Sequence, residues 1–229
     1  MPLLDEAHAL VGEPARTYDH VIVDEAQDLS PMQLRMIARR AREGALTILG
    51  DVAQGTGPVT YASWGDVLPH LPRGGDADVE ELRHAYRVPR EIMELALPLL
   101  DTIAPEIERP LAYRVGAAQP LLRRVDEGSL LREAYHEAGR LAAEDGLVAL
   151  IVPDELVEPA LAHESAFDSI PLLTPREAKG LEFDHVIVVE PALIAAHERG
   201  LRELYVALTR PTTTLVVVHA RPLPTELGL

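Results

Sequence analysis

The chain has 229 residues, of which 47% are hydrophobic, and this length predicts one large domain or two small ones. With 21 basic and 37 acidic residues, its formal net charge is −16, which argues against a module that wraps DNA or binds an anionic membrane through surplus cations. The lack of cysteine excludes a disulfide scaffold and a cysteine nucleophile. The sequence shows no signal peptide, and its longest apolar runs are far shorter than the roughly 18 residues that a membrane span needs. These features predict a soluble cytoplasmic protein.

Short apolar runs followed by helical patterns recur along the chain, and this alternation favours an α/β fold with a mostly parallel sheet. The runs are continuous, as is typical of strands that helices cover on both faces. Strands are predicted at residues 21–24, 46–50, 121–125, 148–153, 170–174, 186–190 and 214–219. Helices are predicted from a Ser30 cap to Gly44 and at residues 89–100, 129–144, 154–163 and 201–209.

The first predicted strand ends in adjacent carboxylates, Asp24 and Glu25. Ligands of open α/β sheets bind beyond the carboxyl ends of the strands. In phosphoryl transfer one carboxylate typically holds Mg²⁺ while a polar neighbour orients the attacking water. The same residues also suit a simple helix N-terminus, because the helix dipole favours acids there.

Polar residues also follow the second strand. Gln54, three residues beyond Asp51, could donate to a phosphate oxygen or hold a water, although an ordinary turn is the alternative. Further along, Arg87 comes just before a helix that begins near Pro89, so its backbone is held firmly. An arginine in such a place can stabilise charge on a transferring phosphoryl group, and a surface ion pair is the alternative.

Two further segments carry isolated basic residues. Lys179 is the one lysine of the sequence and precedes Gly180 between two predicted strands. Arg210 ends the last predicted helix before Pro211, where it can also complement the helix C-terminus. Residues 19–25 are similar in sequence to residues 184–190. This internal similarity indicates either two related α/β lobes or a chance likeness of two buried strands.

The order and spacing of these segments resemble the UvrD/Rep/PcrA class of superfamily 1 helicases over nearly the whole chain. The matching segments are residues 24–28 (motif II, Walker B), 50–54 (motif III), 86–87 (motif IV), 177–183 (motif V) and 205–210 (motif VI). The resemblance implies RecA-like (P-loop NTPase) parallel sheets with flanking helices, in one partial and one complete lobe. The partial first domain is placed at residues 1–75 and the second domain at residues 76–229.

The resemblance also assigns roles, with ATP and Mg²⁺ as cofactors. Asp24 would hold Mg²⁺, Glu25 would activate the attacking water, and Gln54 would sense the γ-phosphate. Arginine fingers from the second domain would complete an ATP site between the two domains. The residues implied there are Arg87 and Arg210 as fingers, and Gly180 and Glu182 at the sugar side of the nucleotide.

The sequence lacks a Walker A loop, which has the form Gly-x-x-x-x-Gly-Lys-Ser/Thr, because its one lysine follows Ala178. We therefore expect the chain alone to hydrolyse ATP poorly and to need a missing N-terminal ATPase half. Motif III also departs from the pattern of DNA-translocating members, which usually carry aromatic residues directly after it. Here Tyr61 and Trp64 lie further along, where they could stack on bases.

Residues 28–33, 50–64 and 218–224 look closest to the HelD (helicase-IV-like) branch, some members of which act on RNA polymerase. The favoured interpretation is the C-terminal ATPase-core portion of a HelD/UvrD-like ATP-dependent DNA helicase or translocase. The alternatives are an RNA polymerase-binding module of the HelD type without unwinding activity, and an inert relic. DNA or RNA polymerase is the implied partner.

Overall fold

A computed structural model of the chain describes residues 2–12, 16–72, 74–163 and 170–229. The chain divides into two units, Met1–Glu81 and Leu82–Leu229. Among the described residues, no helix is long and apolar enough to cross a membrane.

The first unit contains a small parallel sheet. Its two strands run side by side in register, with Val21 opposite Leu46 and Val23 opposite Ile48. Both strands were predicted and are confirmed, although each ends one or two residues early. The helices and strands of this unit are α1 (Pro2–Leu10), β1 (Val21–Val23), α2 (Pro31–Ala38), β2 (Leu46–Ile48) and α3 (Trp64–Val67).

Helix α2 begins where the sequence predicts. The Ser30 hydroxyl accepts from the Gln33 backbone N–H, and the Gln33 side chain accepts from the Ser30 backbone N–H at 2.8 Å. The predicted end at Gly44 is wrong, because α2 ends at Ala38. Beyond it the Tyr18 N–H donates to the Arg40 carbonyl, and the Arg42 N–H donates back to the Tyr18 carbonyl. These two hydrogen bonds form a short β-bridge with Tyr18. A bridge of this kind requires extended backbone, so the helix cannot continue through it.

The second unit is built on a five-stranded, all-parallel sheet in the order β5-β9-β8-β6-β7. A separate parallel pair joins β3 to β4. The strands are β3 (His84–Ala85), β4 (Leu111–Ala112), β5 (Leu121–Arg124), β6 (Val148–Ile151), β7 (Leu172–Leu173), β8 (Phe183–Val189) and β9 (Pro211–His219). The helices are α4 (Arg90–Ala96), α5 (Leu100–Ile103), α6 (Leu130–Ala142), α7 (Val157–Leu161), α8 (Pro191–Ala195) and α9 (Gly200–Leu208).

One face of α6 packs on this sheet and forms its core. The strands beneath it are apolar along their length, so the sheet is buried as parallel sheets are. The fully buried members of the core include Ala134, Ala138, Leu150, Val152, Ile187, Val189, Val216 and Val218. The α/β class with parallel sheets and flanking helices is therefore confirmed. The short strands β3 and β4 and helices α1, α3 and α8 were not predicted.

Acid is expected to weaken this unit through Asp184, near the start of β8. Its carboxylate accepts from the Leu147 N–H at 2.8 Å and from the Thr212 hydroxyl at 3.1 Å, and these bonds hold the pKa of Asp184 below its ordinary value of 3.8. A lowered pKa in the folded state gives stability that is complete above the unfolded value and is lost as the pH falls through and below 3.8.

Urea unfolding between about pH 6 and about pH 2.5 should therefore show a fall in unfolding free energy that is smaller in Asp184→Asn. Asp101→Asn is the matched control, because it removes an exposed ion pair with Arg109. An unchanged acid profile in Asp184→Asn would contradict the assignment.

Candidate functional site

The carboxyl ends of β1 and β2 lie at the same edge of the first sheet, because the two strands are parallel. The ladder continues beyond them: the Leu49 N–H donates to the Val23 carbonyl at 2.8 Å, and the Ala26 N–H donates to the Leu49 carbonyl at 3.0 Å. The structure therefore brings together the two polar segments that follow these strands, residues 24–28 and 50–54.

Glu25 has a strained backbone. Its φ of 53° and ψ of 36° lie in the left-handed region, where a non-glycine residue typically costs about 1–3 kcal/mol. The adjacent Asp24 carboxylate accepts from the Glu25 N–H at 2.8 Å, and both side chains are exposed. Strain of this kind clusters at functional sites, so the turn marks these carboxylates as candidates for chemistry.

Gln27 joins the two segments, a role that the sequence analysis missed. Its side chain is 1% exposed; Nε2 donates to the Glu25 carboxylate at 2.5 Å, and Oε1 accepts from the Asp51 N–H at 3.0 Å. Gly50 makes room for this amide, since a Cβ there would lie 2.1 Å from Oε1. The sequence signal for this contact is a glutamine after one strand and a glycine after the next, and it can be recognised only when the two strands are known to be neighbours.

Gln54 is oriented by Asp51. The two carboxylate oxygens of Asp51 divide their bonds: Oδ1 accepts from the Ala53 N–H at 2.9 Å, and Oδ2 accepts from Gln54 Nε2 at 3.0 Å. The Gln54 side chain is half-buried. Its amide is thus held in a defined direction at the sheet edge that carries Glu25.

Asp28 ties the glycine-rich stretch after Gln54 to the first segment. Its carboxylate accepts from the backbone N–H groups of Thr56 and Gly57 at 3.0 and 2.9 Å. A Cβ on Gly57 would lie 2.6 Å from the Asp28 carbonyl oxygen, so only glycine permits this approach.

Tyr61 has a structural role. It is 4% exposed, its hydroxyl donates to the Leu29 carbonyl at 2.8 Å, and burial raises the pKa of its phenol. The suggestion that Tyr61 stacks on bases is therefore not supported by its position. Trp64, at the start of α3, is half-buried.

In the second unit, Arg87 and Glu182 form an ion pair with each other. Their side chains are 48% and 45% exposed. Exposed ion pairs of this kind contribute at most about 1 kcal/mol, so the pair can separate at little cost. The structure thus brings together two residues that the resemblance places at the nucleotide.

Arg210 lies in a different environment, since it is 2% exposed. Its Nε donates to the Val206 carbonyl at 3.0 Å, one terminal nitrogen donates to the Leu181 carbonyl at 3.3 Å, and the other donates to the Thr209 hydroxyl at 3.2 Å. Arg210 therefore fixes the end of α9 to the residue before Glu182.

The segment before Glu182 is anchored a second time to α9. Arg176 donates to the buried Glu203 carboxylate at 2.6 Å, which raises the pKa of Arg176. The Glu177 carboxylate accepts from the Thr174 N–H and hydroxyl at 2.8 and 2.9 Å, and these bonds lower the pKa of Glu177. Gly180 then turns the chain with a φ of 74°, a conformation suited to glycine.

An exposed aromatic cluster lies one residue from Arg87, and the sequence analysis missed it. The rings of Tyr86 and Tyr113 are stacked, with centroids 5.5 Å apart and planes 16° apart, and His84 meets Tyr113 edge-on at 4.9 Å. The two tyrosines are 69% and 53% exposed. Exposed aromatic rings can stack on a nucleic-acid base or on the base of a nucleotide.

Asp24 suits magnesium that is bound mainly by other ligands. Mg²⁺ usually takes one or two protein carboxylates and completes its shell with water and phosphate oxygens. Within the described ranges, no cluster of three or more His, Asp or Glu side chains could hold a metal by itself. The exposed Asp24 carboxylate thus fits an ion that arrives with a nucleotide.

Two segments of the chain match family models. Residues 1–56 match the UvrD/REP helicase N-terminal domain, and residues 170–218 match the UvrD-like helicase C-terminal domain. The first match contains residues 24–28 and 50–54, and the second contains residues 177–183 and 205–210. No curated protein sequence matches the chain.

Two solved helicase structures share the fold. Arterivirus nonstructural protein 10, a helicase solved with DNA, matches with a TM-score of 0.51 at 18% identity, covering 94% of this chain and 42% of that one. The PRRSV helicase matches with a TM-score of 0.50 at 16% identity, covering 88% of this chain and 34% of that one. The C-terminal domain of a possible DNA helicase from Lactobacillus plantarum gives 0.46 at 18% identity, covering 63% of this chain and 92% of that domain.

The chain spans 42% or less of the length of the two viral helicases. Its parallel sheets with flanking helices match the RecA-like domains of helicases, and its sequence carries segments similar to both the N-terminal and the C-terminal domains of UvrD-like helicases.

Proposed function

We propose that the chain is the C-terminal ATPase-core portion of a UvrD-like helicase or translocase that acts on DNA. In this proposal the two units correspond to a partial first RecA-like domain, residues 1–75, and a complete second one, residues 76–229. The observation that carries it is the sheet edge where Glu25 and Gln54 are joined through buried Gln27. The family matches on either side of the chain support the same function.

The first unit would supply groups for water attack on ATP. Asp24 would hold Mg²⁺, which neutralises phosphate charge when bound with ATP. Glu25 would take the proton of the attacking water, and Gln54 would contact the γ-phosphate. The exposure of both carboxylates and the fixed direction of the Gln54 amide suit these roles.

The second unit would supply positive charge and base contacts. Arg87 and Arg210 would act as arginine fingers, with Glu182 and Gly180 at the sugar of the nucleotide. Since Arg87 is exposed and forms a weak surface pair with Glu182, it is better placed than the buried Arg210 to reach a nucleotide. The exposed Tyr86–Tyr113 stack beside it suits a purine base.

The first unit also presents apolar surface that a completed lobe would cover. In the part of this unit that the structure describes, the parallel sheet has two strands, and Ile22 on β1 is 70% exposed. Leu3 and Leu10 on α1 are 73% and 81% exposed. Parallel sheets are normally buried on both faces. We therefore propose that a polypeptide with a Walker A loop packs here and supplies the phosphate cradle.

The test is ATP hydrolysis with Mg²⁺ by the chain alone and by the chain joined to, or mixed with, the Walker A portion of a UvrD/REP-type N-terminal domain. We expect negligible turnover by the chain alone and multiple turnovers by the mixture, with a further rise on addition of single-stranded DNA. A Walker A lysine-to-alanine variant of the added portion is the control.

Two outcomes would contradict the proposal. Turnover by the chain alone would mean that other residues hold the phosphates. Absence of turnover in a mixture that forms a stable complex would mean that the sheet edge is not part of an ATPase.

The second candidate is an RNA polymerase-binding module of the HelD type, which the net charge of −16 favours because acidic surfaces can mimic nucleic acid. Binding to RNA polymerase that weakens with salt and is unchanged by Glu25→Gln would support this candidate. Absence of binding at low salt would contradict it.

A further inference from the structure

A continuous hydrogen-bonded path runs from Glu25 to Gln54. Gln27 Nε2 donates to the Glu25 carboxylate at 2.5 Å, and Gln27 Oε1 accepts from the Asp51 N–H at 3.0 Å. The Asp51 carboxylate in turn accepts from Gln54 Nε2 at 3.0 Å. Three bonds thus connect the carboxylate that follows β1 with the amide that follows β2.

The path is buried and hydrogen-bonded on both sides at Gln27. The side chain is 1% exposed and both ends of its amide are used. The backbone approaches it closely at Gly50, where a Cβ would lie 2.1 Å from Oε1, so a side chain at position 50 would displace the amide from this place. A buried polar group that loses one partner is costly, so a shift at either end of the amide is passed to the other end.

The chemistry of the amide fits this place. A glutamine side chain offers a donor and an acceptor in one plane, and only such a group satisfies both a carboxylate and a backbone N–H. Glutamate would turn the donor into a second negative oxygen facing Glu25. Methionine has a similar length but would satisfy neither neighbour.

We propose that Gln27 is a positioning residue that couples the direction of the Glu25 carboxylate to the loop that carries Gln54. This rests on the proposed function, in which Glu25 activates water and Gln54 contacts the γ-phosphate. A change at Gln54 is transmitted through Asp51 and the Gln27 amide to Glu25, so the catalytic carboxylate is aligned when the phosphate is in place.

The test uses NMR of the ¹⁵N-labelled chain and needs no ATP turnover. Glu25→Gln is introduced with Gln27 present, and the Gln54 side-chain amide and Asp51 backbone amide resonances are followed. We expect both to shift, because the neutral amide oxygen of the variant is a weaker acceptor for Gln27 Nε2 than the carboxylate is. In a Gln27→Met background, Glu25→Gln should leave them unmoved. Gln33→Met is the matched control, because it removes a capping glutamine of α2 outside the path and should preserve the coupling.

Two further variants test the same coupling if Gln27→Met does not fold. Gln27→Glu keeps an acceptor for the Asp51 N–H but removes the donor to Glu25, and Gly50→Ala displaces the amide without changing it. Both are expected to abolish the response of Gln54 to Glu25→Gln. A response of equal size in any folded Gln27 variant would overturn the proposal.

Activity of the completed enzyme gives an independent readout. Loss of an outer partner that orients a functional group typically costs about 10- to 100-fold, so Gln27→Glu should lower kcat by that factor with KM for ATP unchanged. Since the NMR response does not depend on turnover, failure of the ATPase proposal and failure of the coupling are distinguishable.

Discussion

Glu25→Gln is expected to lower the kcat of ATP hydrolysis by the completed enzyme by a factor of about 10²–10⁴, the range for removal of a general base. The variant has the same shape and keeps an oxygen that can accept from Gln27 Nε2, so the turn after β1 should persist. What it loses is the ability to take a proton from water. KM for ATP should therefore change little, because the loss is confined to the transition state.

Glu43→Gln is the matched control for this measurement. Glu43 is an exposed glutamate of the same unit, and its φ of 56° places it in the same left-handed region as Glu25. A general effect of removing a strained, exposed carboxylate would appear in both variants. Steady-state kinetics should show loss of kcat in Glu25→Gln alone. Wild-type turnover in Glu25→Gln would exclude Glu25 as the base.

The polar residues that follow each of the first two strands were readable from the sequence because each signal is local, whereas the pairing of these two strands was not predicted. Two continuous apolar runs end in polar residues, and parallel strands bring their carboxyl ends to one edge. The capping box at Ser30 was readable for the same reason, since all its parts lie within four residues. In both cases a short stretch of chain contains the whole signal.

The parts that the sequence did not reveal depend on distant partners. Arg87 and Glu182 lie 95 residues apart, so no local pattern could pair them. Strands β3 and β4 have two residues each, too few to show a period. The burial of Arg210 follows from carbonyls and a hydroxyl that surround it only in the folded unit.

The sequence similarity between residues 19–25 and 184–190 corresponds to a similar backbone conformation but not to similar side-chain environments. In the structure Glu25 and Glu190 both end strands in the left-handed conformation, and both precede a helical turn. Their side chains differ in use, however. Glu25 is exposed, whereas Glu190 is 2% exposed and accepts from the Ala220 and Arg221 backbone N–H groups at 2.9 and 3.3 Å. The two glutamates thus share a backbone conformation, but only the Glu25 carboxylate is exposed.

Arg87→Ala is expected to lower kcat by a factor of about 10³–10⁵, the range for removal of an arginine finger. Its unfolding free energy should change by less than about 1 kcal/mol, because the lost contact is an exposed ion pair with Glu182. The two measurements together separate this residue from Arg210, whose buried guanidinium is bonded to the backbone and whose removal would destabilise the unit as well.

The control for Arg87→Ala is Arg83→Ala, in the same segment. Arg83 also forms an exposed ion pair, with Glu108, and its side chain is 49% exposed against 48% for Arg87. If Arg87 only stabilises the surface, both variants should behave alike and retain turnover. If it is a finger, only Arg87→Ala should lose kcat.

Glu182→Gln then tests the ion pair itself. The variant removes the charge that pairs with Arg87, so it should leave Arg87 free for phosphate while weakening any contact of Glu182 with the sugar. If Arg87 is a finger, kcat is therefore retained in Glu182→Gln, and if Glu182 also contacts the sugar, KM for ATP rises; a surface pair with neither role predicts no kinetic change.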